Sequence, residues 1–395
     1  FFDQVADLDW DSAFQAYIPQ VLETKTVYEY YRTLERFVAL LGDGHTDIVY
    51  PKYMWDSLTF PPLSLDEAGG RAYVINVAKS LAERIPIGSQ ITAVDGVEYH
   101  TYLERSVFPN ICESAPHTRL NRAVRWSLRG WVNTTCAISY TTPGGEPRSE
   151  TLTRHRAGVE WLLPRMAYER LVEFRWLDSG IAYVALNSFN EDSTVIQFEE
   201  LAPELYAARG VILDVRQNNG GNSNRAAAIL SHFTTDTLYG SKWKTREHVA
   251  AYKAWAQYSD EYAPYLTGDV WYEESDWKYE PTPGTKISAP VVILIGVKTR
   301  SAAEDFLVFA DPLPQFTFVG EPSSGSTGQP LNVALPGGGR CGIVSKRDQF
   351  PDGRDFVGVG VQPDIFVPRT RESLLGESDP ALQQALETLL ETIGR

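Results

Sequence analysis

Cysteine is scarce in this chain. Cys112, Cys136 and Cys341 are the only three among 395 residues. They lie far apart and form no CxxC, so they make no metal knuckle, and at most one disulfide is possible. The six histidines are scattered and show no HExxH, so neither zinc nor another metal is implied and no cofactor is expected. No apolar run approaches the ~20 residues of a membrane-spanning helix. Cationic residues number 36 against 51 acidic ones, for a net charge of −15. No basic stripe is interleaved with aromatics, which argues against a nucleic-acid partner. There is no signal peptide: the chain opens FFDQVADLDW without Met, which fits a mature or trimmed form and leaves location open. Internal repeats and low-complexity segments are missing too.

What is present describes an ordinary globular protein, with 43% hydrophobic and 22% charged residues. The length suits two or three domains with a sizeable core. The first fifty residues read as helical. Asp9 or Asp11 caps a short helix through Gln20, and Val27, Tyr31, Leu34, Val38 and Leu41 repeat at helical spacing. LGDGHT (41–46) ends that helix and leaves Asp43 and His45 on a glycine-flanked loop. From Gly70 the texture changes to strands: RAYVINV, then Ile91 to Val94 with Asp95-Gly96 as a hairpin turn. A helical stretch (116–130) and a hairpin around Pro143-Gly144-Gly145 come next.

From about residue 156, strands alternate with helices, the signature of an α/β core. GIAYVALNSF (180–189) and GVILDV (210–215) read as buried strands. The second leads into RQNNGGN, where Gly220 and Gly221 stand before a helix and expose backbone N–H groups. The aromatic stretch 240–285 reads as an insertion over the sheet. Val291 to Ile295 is a third buried strand, and AAEDFLVFA after it is helical. Ser301 therefore sits where a strand turns into a helix. Such a hydroxyl suits a nucleophile at the carboxyl edge of the sheet, but on this stretch alone a plain helix cap is the favoured reading.

Four loops carry distinctive sequence: LGDGHT, DVRQNNGGN, TRSAAEDF, and GEPSSGSTGQP with the later GRDFVGVGVQPDI. In that order the chain resembles the tail-specific, or C-terminal processing, serine peptidases, in the branch of tricorn core peptidases and interphotoreceptor-retinoid-binding-like domains. The resemblance implies a mixed α+β and α/β multidomain fold. Residues 1–60 would form an N-terminal helical segment carrying the His loop, 61–155 a PDZ-like small β-domain, and 156–395 a ClpP/crotonase-like α/β peptidase core. Read from its residues alone, the middle region is equally a small β-domain without a ligand, since 66–70 is a poor carboxylate loop.

The resemblance also implies roles. Ser301 stands at the nucleophile position and His45 at the general base. The Gly220–Gly221 turn and Ala302 stand where oxyanion-hole N–H groups belong. The Ser/Lys branch has its lysine where this chain has Ser326, and no lysine lies between Ser301 and Lys346. That points to His45 as the base. The triad acid falls on Asp355, although a strict alignment puts Val357 at that point. Asp43, Glu304, Glu321, Gln329 and Arg216 stay outside the expected site. The implied activity is endopeptidase cleavage of polypeptides through an acyl-enzyme, without a cofactor. The competing reading is a catalytically inactive ligand- or peptide-binding protein on the same scaffold. An exported location, periplasmic or cell-surface, is expected by family analogy, and the oligomeric state is open.

Overall fold

The computed structural model describes residues 5, 7–155, 158–164, 170–246, 250–256, 258–267, 270–273 and 277–394. The boundary expected at 155/156 adjoins residues outside that set. Six strands form the main sheet, in the order Val172–Leu177, Ile181–Leu186, Gly210–Asp214, Val291–Ile295, Phe316–Gly320, Ile365–Phe366. The first pair is antiparallel and the remaining junctions are parallel. Ile181–Leu186, Gly210–Asp214 and Val291–Ile295 are buried at every residue. This is why they read as unbroken apolar runs rather than alternating ones.

Alternation reappears in what each face meets. Val184, Leu213 and Ile293 face the helices Ser193–Leu205, Ser223–Leu230 and Ala302–Ala310. Tyr183, Ile212 and Leu294 face the closing helix Pro380–Ile393, as the two-residue period of a strand requires. Arg216 fastens that helix in place. Its guanidinium pairs with Asp214 in the sheet and with Asp379, the helix N-cap. In Ala302–Ala310, Phe306 and Phe309 are fully buried. Truncating either to alanine costs about 3–5 kcal/mol and would loosen the turn ahead of the helix.

The middle region forms its own sheet and core, in the order Leu63–Ala68, Arg71–Val77, Gln90–Val94, Thr135–Thr141, Pro147–Thr153. Val97–Glu98 folds back on Gln90–Val94 through the expected Asp95-Gly96 turn, both residues having positive φ. Helix Pro116–Trp126 contributes Ala123 and Val124 to that core. All three cysteines are buried and unpaired.

The N-terminal helices run Trp10–Leu22, capped by Asp9, and Val27–Ala39, with a Thr26/Glu29 capping box. A short strand beyond these helices decides where His45 lies. This strand, Asp47–Val49, pairs antiparallel with Arg340–Val344, with Asp47 opposite Gly342, and Arg340–Val344 pairs in turn with Pro330–Ala334. The Tyr31 hydroxyl donates to the Pro336 carbonyl at 2.7 Å and accepts from the Gly339 N–H at 2.8 Å. The 41–46 loop is thereby held against the far end of the chain. No helix among the described residues is long and apolar enough to cross a membrane.

Candidate active site

Ser301 occupies the turn between Val291–Ile295 and Ala302–Ala310 with φ 57° and ψ −125°. Backbone of this kind is strained for a residue with a Cβ and persists only where its surroundings enforce it. The surroundings here are specific. The Ser301 N–H is shared between the Ser326 carbonyl and Glu304 Oε2, both at 3.2 Å. Arg300 N–H donates to the Asn218 carbonyl at 3.1 Å, and Thr299 Oγ1 to the Val215 carbonyl at 2.9 Å. Ser301 and Glu304 form a capping box at the start of the helix, the Glu304 carboxylate accepting from the Ser301 N–H.

The glycine turn lies against this serine. A Cβ built on Gly220 would stand 2.8 Å from Ser301 Cβ and 2.9 Å from Ala302 N. The Gly220 N–H is already taken by Asn218 Oδ1 at 2.9 Å. Among the described residues the Gly221 and Ala302 N–H groups have no backbone acceptor. Asn218, fully buried, also donates to the Leu186 carbonyl and so fixes the turn to the sheet.

His45 comes to the same place from the opposite end of the chain. Its Nδ1 is 2.6 Å from Ser326 Oγ, and the Ser326 backbone carbonyl is the acceptor for Ser301. One fully buried residue therefore touches both. Gly44 lets the loop approach: a Cβ there would meet Arg300 Nη2 and Ser326 Oγ at 2.6 Å and Glu113 Oε2 at 2.7 Å. Arg300 spans the junction, donating to both Glu113 carboxylate oxygens at 2.9 and 3.0 Å, to the Gly44 carbonyl, and to Ser326 Oγ at 3.3 Å. Burial, with Arg300, Lys346 and Arg122 nearby, pushes the His45 imidazole down to about 3. It is neutral at physiological pH, and a cation there is disfavoured.

Glu304, fully buried one turn along the helix, accepts from Ser323 Oγ and Gly325 N at 2.6 Å, Ser326 N at 3.0 Å and Ser301 N at 3.2 Å. Burial pushes its carboxyl up to about 7, against the pull of those four bonds. It ties the Ser301 turn to the 323–326 loop and, among the described residues, makes no hydrogen bond to the His45 ring.

The expected acid needs correcting. Asp355 is exposed and does not meet His45 among the described residues. Its carboxylate accepts from Arg347 at 2.9 and 3.0 Å and from Gln349 at 2.8 Å. Strand Arg347–Gln349 pairs with Lys242–Arg246, and the tight turn after Phe350 carries Asp355 back to that strand. Val357 packs on the sheet's apolar core. Asp43 turns its carboxylate to the His45 and Thr46 N–H groups, at 2.9 and 2.7 Å, rather than to the ring. Among the described residues the hydrogen-bond partner of the His45 ring is thus the Ser326 hydroxyl. Sequence reasoning missed that role. The available signal was a serine, in a GSTG loop, at the position where the lysine branch has its base. Arg300 and Glu113 carried no signal at all, because their pairing spans 187 residues.

Asp66 and Glu67, in the segment compared with a carboxylate-binding loop, are engaged with the core. Asp66 pairs with Lys298 at 3.2 Å and Glu67 with Arg369 at 3.1 Å. Two acidic side chains there oppose a carboxylate ligand. Among the described residues no group of His, Cys, Asp and Glu is arranged to hold a metal ion.

A covered, mostly parallel sheet thus carries a strained serine at a strand-to-helix turn, with a histidine brought near it from another element. Residues 180–367 match the family model of peptidase family S41. Among solved structures it is similar to mature CPAF, at 15% identity and a TM-score of 0.77, over 99% of this chain and 93% of that one. It is similar also to mature CPAF complexed with lactacystin, at 14% identity and 0.73, with the same coverage. The photosystem II D1 C-terminal processing protease matches at 18% identity and 0.48, over 91% and 87% of the two chains.

Proposed function

We propose that the chain is an endopeptidase in which Ser301 is the nucleophile, His45 the general base, and Ser326 the group that orients the base. The reading rests on one observation: Ser326 meets the His45 ring through its hydroxyl and the Ser301 N–H through its carbonyl. With Nδ1–H donating to Ser326 Oγ, the free Nε2 is an acceptor for the serine proton. Ser301 Oγ then bonds the scissile carbonyl carbon, the C–N bond breaks, and His45 returns the proton to the leaving amine. Water repeats the sequence on the ester. Ala302 and Gly221 N–H groups are the donors proposed for the oxyanion; Gly220 contributes close approach rather than its own N–H.

A hydroxyl in place of a carboxylate fixes the tautomer but does little to stabilise the imidazolium, and Arg300 opposes that cation. The enzyme is accordingly expected to be slow on generic peptides. The same feature favours the second reading, a binding protein that retains the scaffold. A fluorophosphonate probe separates the two. Labelling of the wild type that is lost in Ser301→Ala supports the peptidase; no labelling where a control serine peptidase reacts supports the binder. An exported location is proposed on family resemblance alone, and fractionation of the expressing cell tests it.

A further inference from the structure

A cavity of about 360 Å3 opens beside the site, and Gly44, Asn219 and Arg300 line it. These are the immediate chain neighbours of His45, Gly220 and Ser301, which sets the cavity next to them. Its wall carries four cations, Arg122, Arg125, Lys298 and Arg300, and two carboxylates, Asp47 and Glu113. Even with Asp66 counted behind Lys298, a positive charge is left over, in a chain whose net charge is −15. A cleft of one sign on a body of the other focuses the field on that cleft.

The cations are not equally engaged. Arg300 and Arg122 share Glu113, and Arg122 also lies over the Trp126 ring at 4.6 Å. Lys298 holds Asp66 at 3.2 Å and Gln217 at 3.5 Å, both long. Arg125 is exposed, with no hydrogen-bond or ion-pair partner among the described residues. An unpaired guanidinium and a partly engaged ammonium in one cavity wall make a receptor for a carboxylate on a short stem.

We propose that this cavity is a subsite for an acidic side chain of the substrate, next to the bond that is cut. The inference rests on the peptidase reading for its position, not for its chemistry. A carboxylate bound there also stands near Arg122 and Arg300, cations that disfavour a charged His45. It therefore supplies some of the negative charge that the Ser326 hydroxyl does not, and an acidic residue raises kcat as well as lowering KM.

The test uses the full chain and matched peptides carrying Glu or its isostere Gln at each position flanking the cleaved bond, all amidated at the carboxyl end. At one position Glu exceeds Gln in kcat/KM by about tenfold to hundredfold, part of it in kcat, and the ratio shrinks at high salt. In Arg125→Ala the Glu/Gln ratio falls toward one, and Arg125→Glu shifts the preference to Lys. Binding of the same peptides to Ser301→Ala, read by fluorescence anisotropy, shows the same Glu preference without turnover. Equal Glu and Gln binding with Ser301 still labelled by the fluorophosphonate overturns the subsite and leaves the peptidase standing. Glu-selective binding without labelling keeps the subsite and removes the peptidase. A carboxylate effect found only in non-amidated peptides moves recognition to the chain end and overturns the proposal.

Discussion

Gly220→Ala is a demanding perturbation of the site. Gly220 has φ +100°, a conformation that costs a residue with a Cβ on the order of 1–3 kcal/mol. The new methyl would lie 2.6 Å from the Arg300 carbonyl oxygen, 2.8 Å from Ser301 Cβ and 2.9 Å from Ala302 N. Two of those atoms are backbone and the third is a Cβ, so no flexible side chain can yield. Overpacking of that kind adds about 1–3 kcal/mol, for a total stability loss of roughly 2–6 kcal/mol. The methyl also covers the Ala302 N–H, and loss of one oxyanion donor lowers turnover by about 10²–10³. Gly145→Ala is the control: φ is +86° and nothing lies within 4 Å of the built Cβ, so it carries backbone strain without obstruction. Thermal melts and fluorophosphonate labelling rates are measured on both. The reasoning predicts that both variants melt lower and that Gly220→Ala alone loses labelling when compared well below its melt. Labelling of Gly220→Ala at the wild-type rate would refute the placement of the glycine turn against the nucleophile.

The remaining predictions concern the base and its partners. Ser326→Ala removes the Nδ1 partner and should slow labelling about tenfold to hundredfold, more than the ~1 kcal/mol of a neutral hydrogen bond because the ring loses its orientation; an unchanged rate removes Ser326 from the mechanism. Asp355→Asn should leave labelling within about twofold of wild type, since its carboxylate serves Arg347 and Gln349; a drop of orders of magnitude would restore it as the acid. With His45 held down to about 3, the labelling rate should show no histidine inflection between pH 5 and 8. An inflection near 7 that vanishes in Glu304→Gln belongs to Glu304, whereas one that survives there contradicts the neutral His45. Glu304 keeps its proton to about pH 7 when folded but only to its ordinary 4.5 when unfolded. Its contribution to stability therefore falls as pH rises from 4.5 to 7, and Glu304→Gln should lack that slope in melts across this range.

Much of the frame is legible because its signals are local. Buried parallel strands announce themselves as apolar runs and Asp95-Gly96 as a hairpin turn. Ser301 is legible as a position, at the end of Val291–Ile295 ahead of a helix. His45 is legible only through its glycine-flanked loop and the family resemblance. The pairing of Asp47 with Gly342 carries it to Ser301, a register that no local pattern encodes. Asp355 suggests itself by nearness in sequence to where an acid belongs. Neighbouring basic and amide groups, Arg347 and Gln349, have the shorter path to it. Ser326 escapes notice because a serine in a glycine-rich loop reads as turn chemistry, and its role exists only once a ring from another element arrives at 2.6 Å.

The most direct test of the account is the second-order rate at which a fluorophosphonate modifies Ser301 in wild type and in His45→Ala, with the modified peptide identified by mass spectrometry. The account predicts label on Ser301 alone, none in Ser301→Ala, and a fall of about a thousandfold or more in His45→Ala. Label on a different residue, or a His45→Ala rate near that of wild type, would contradict it.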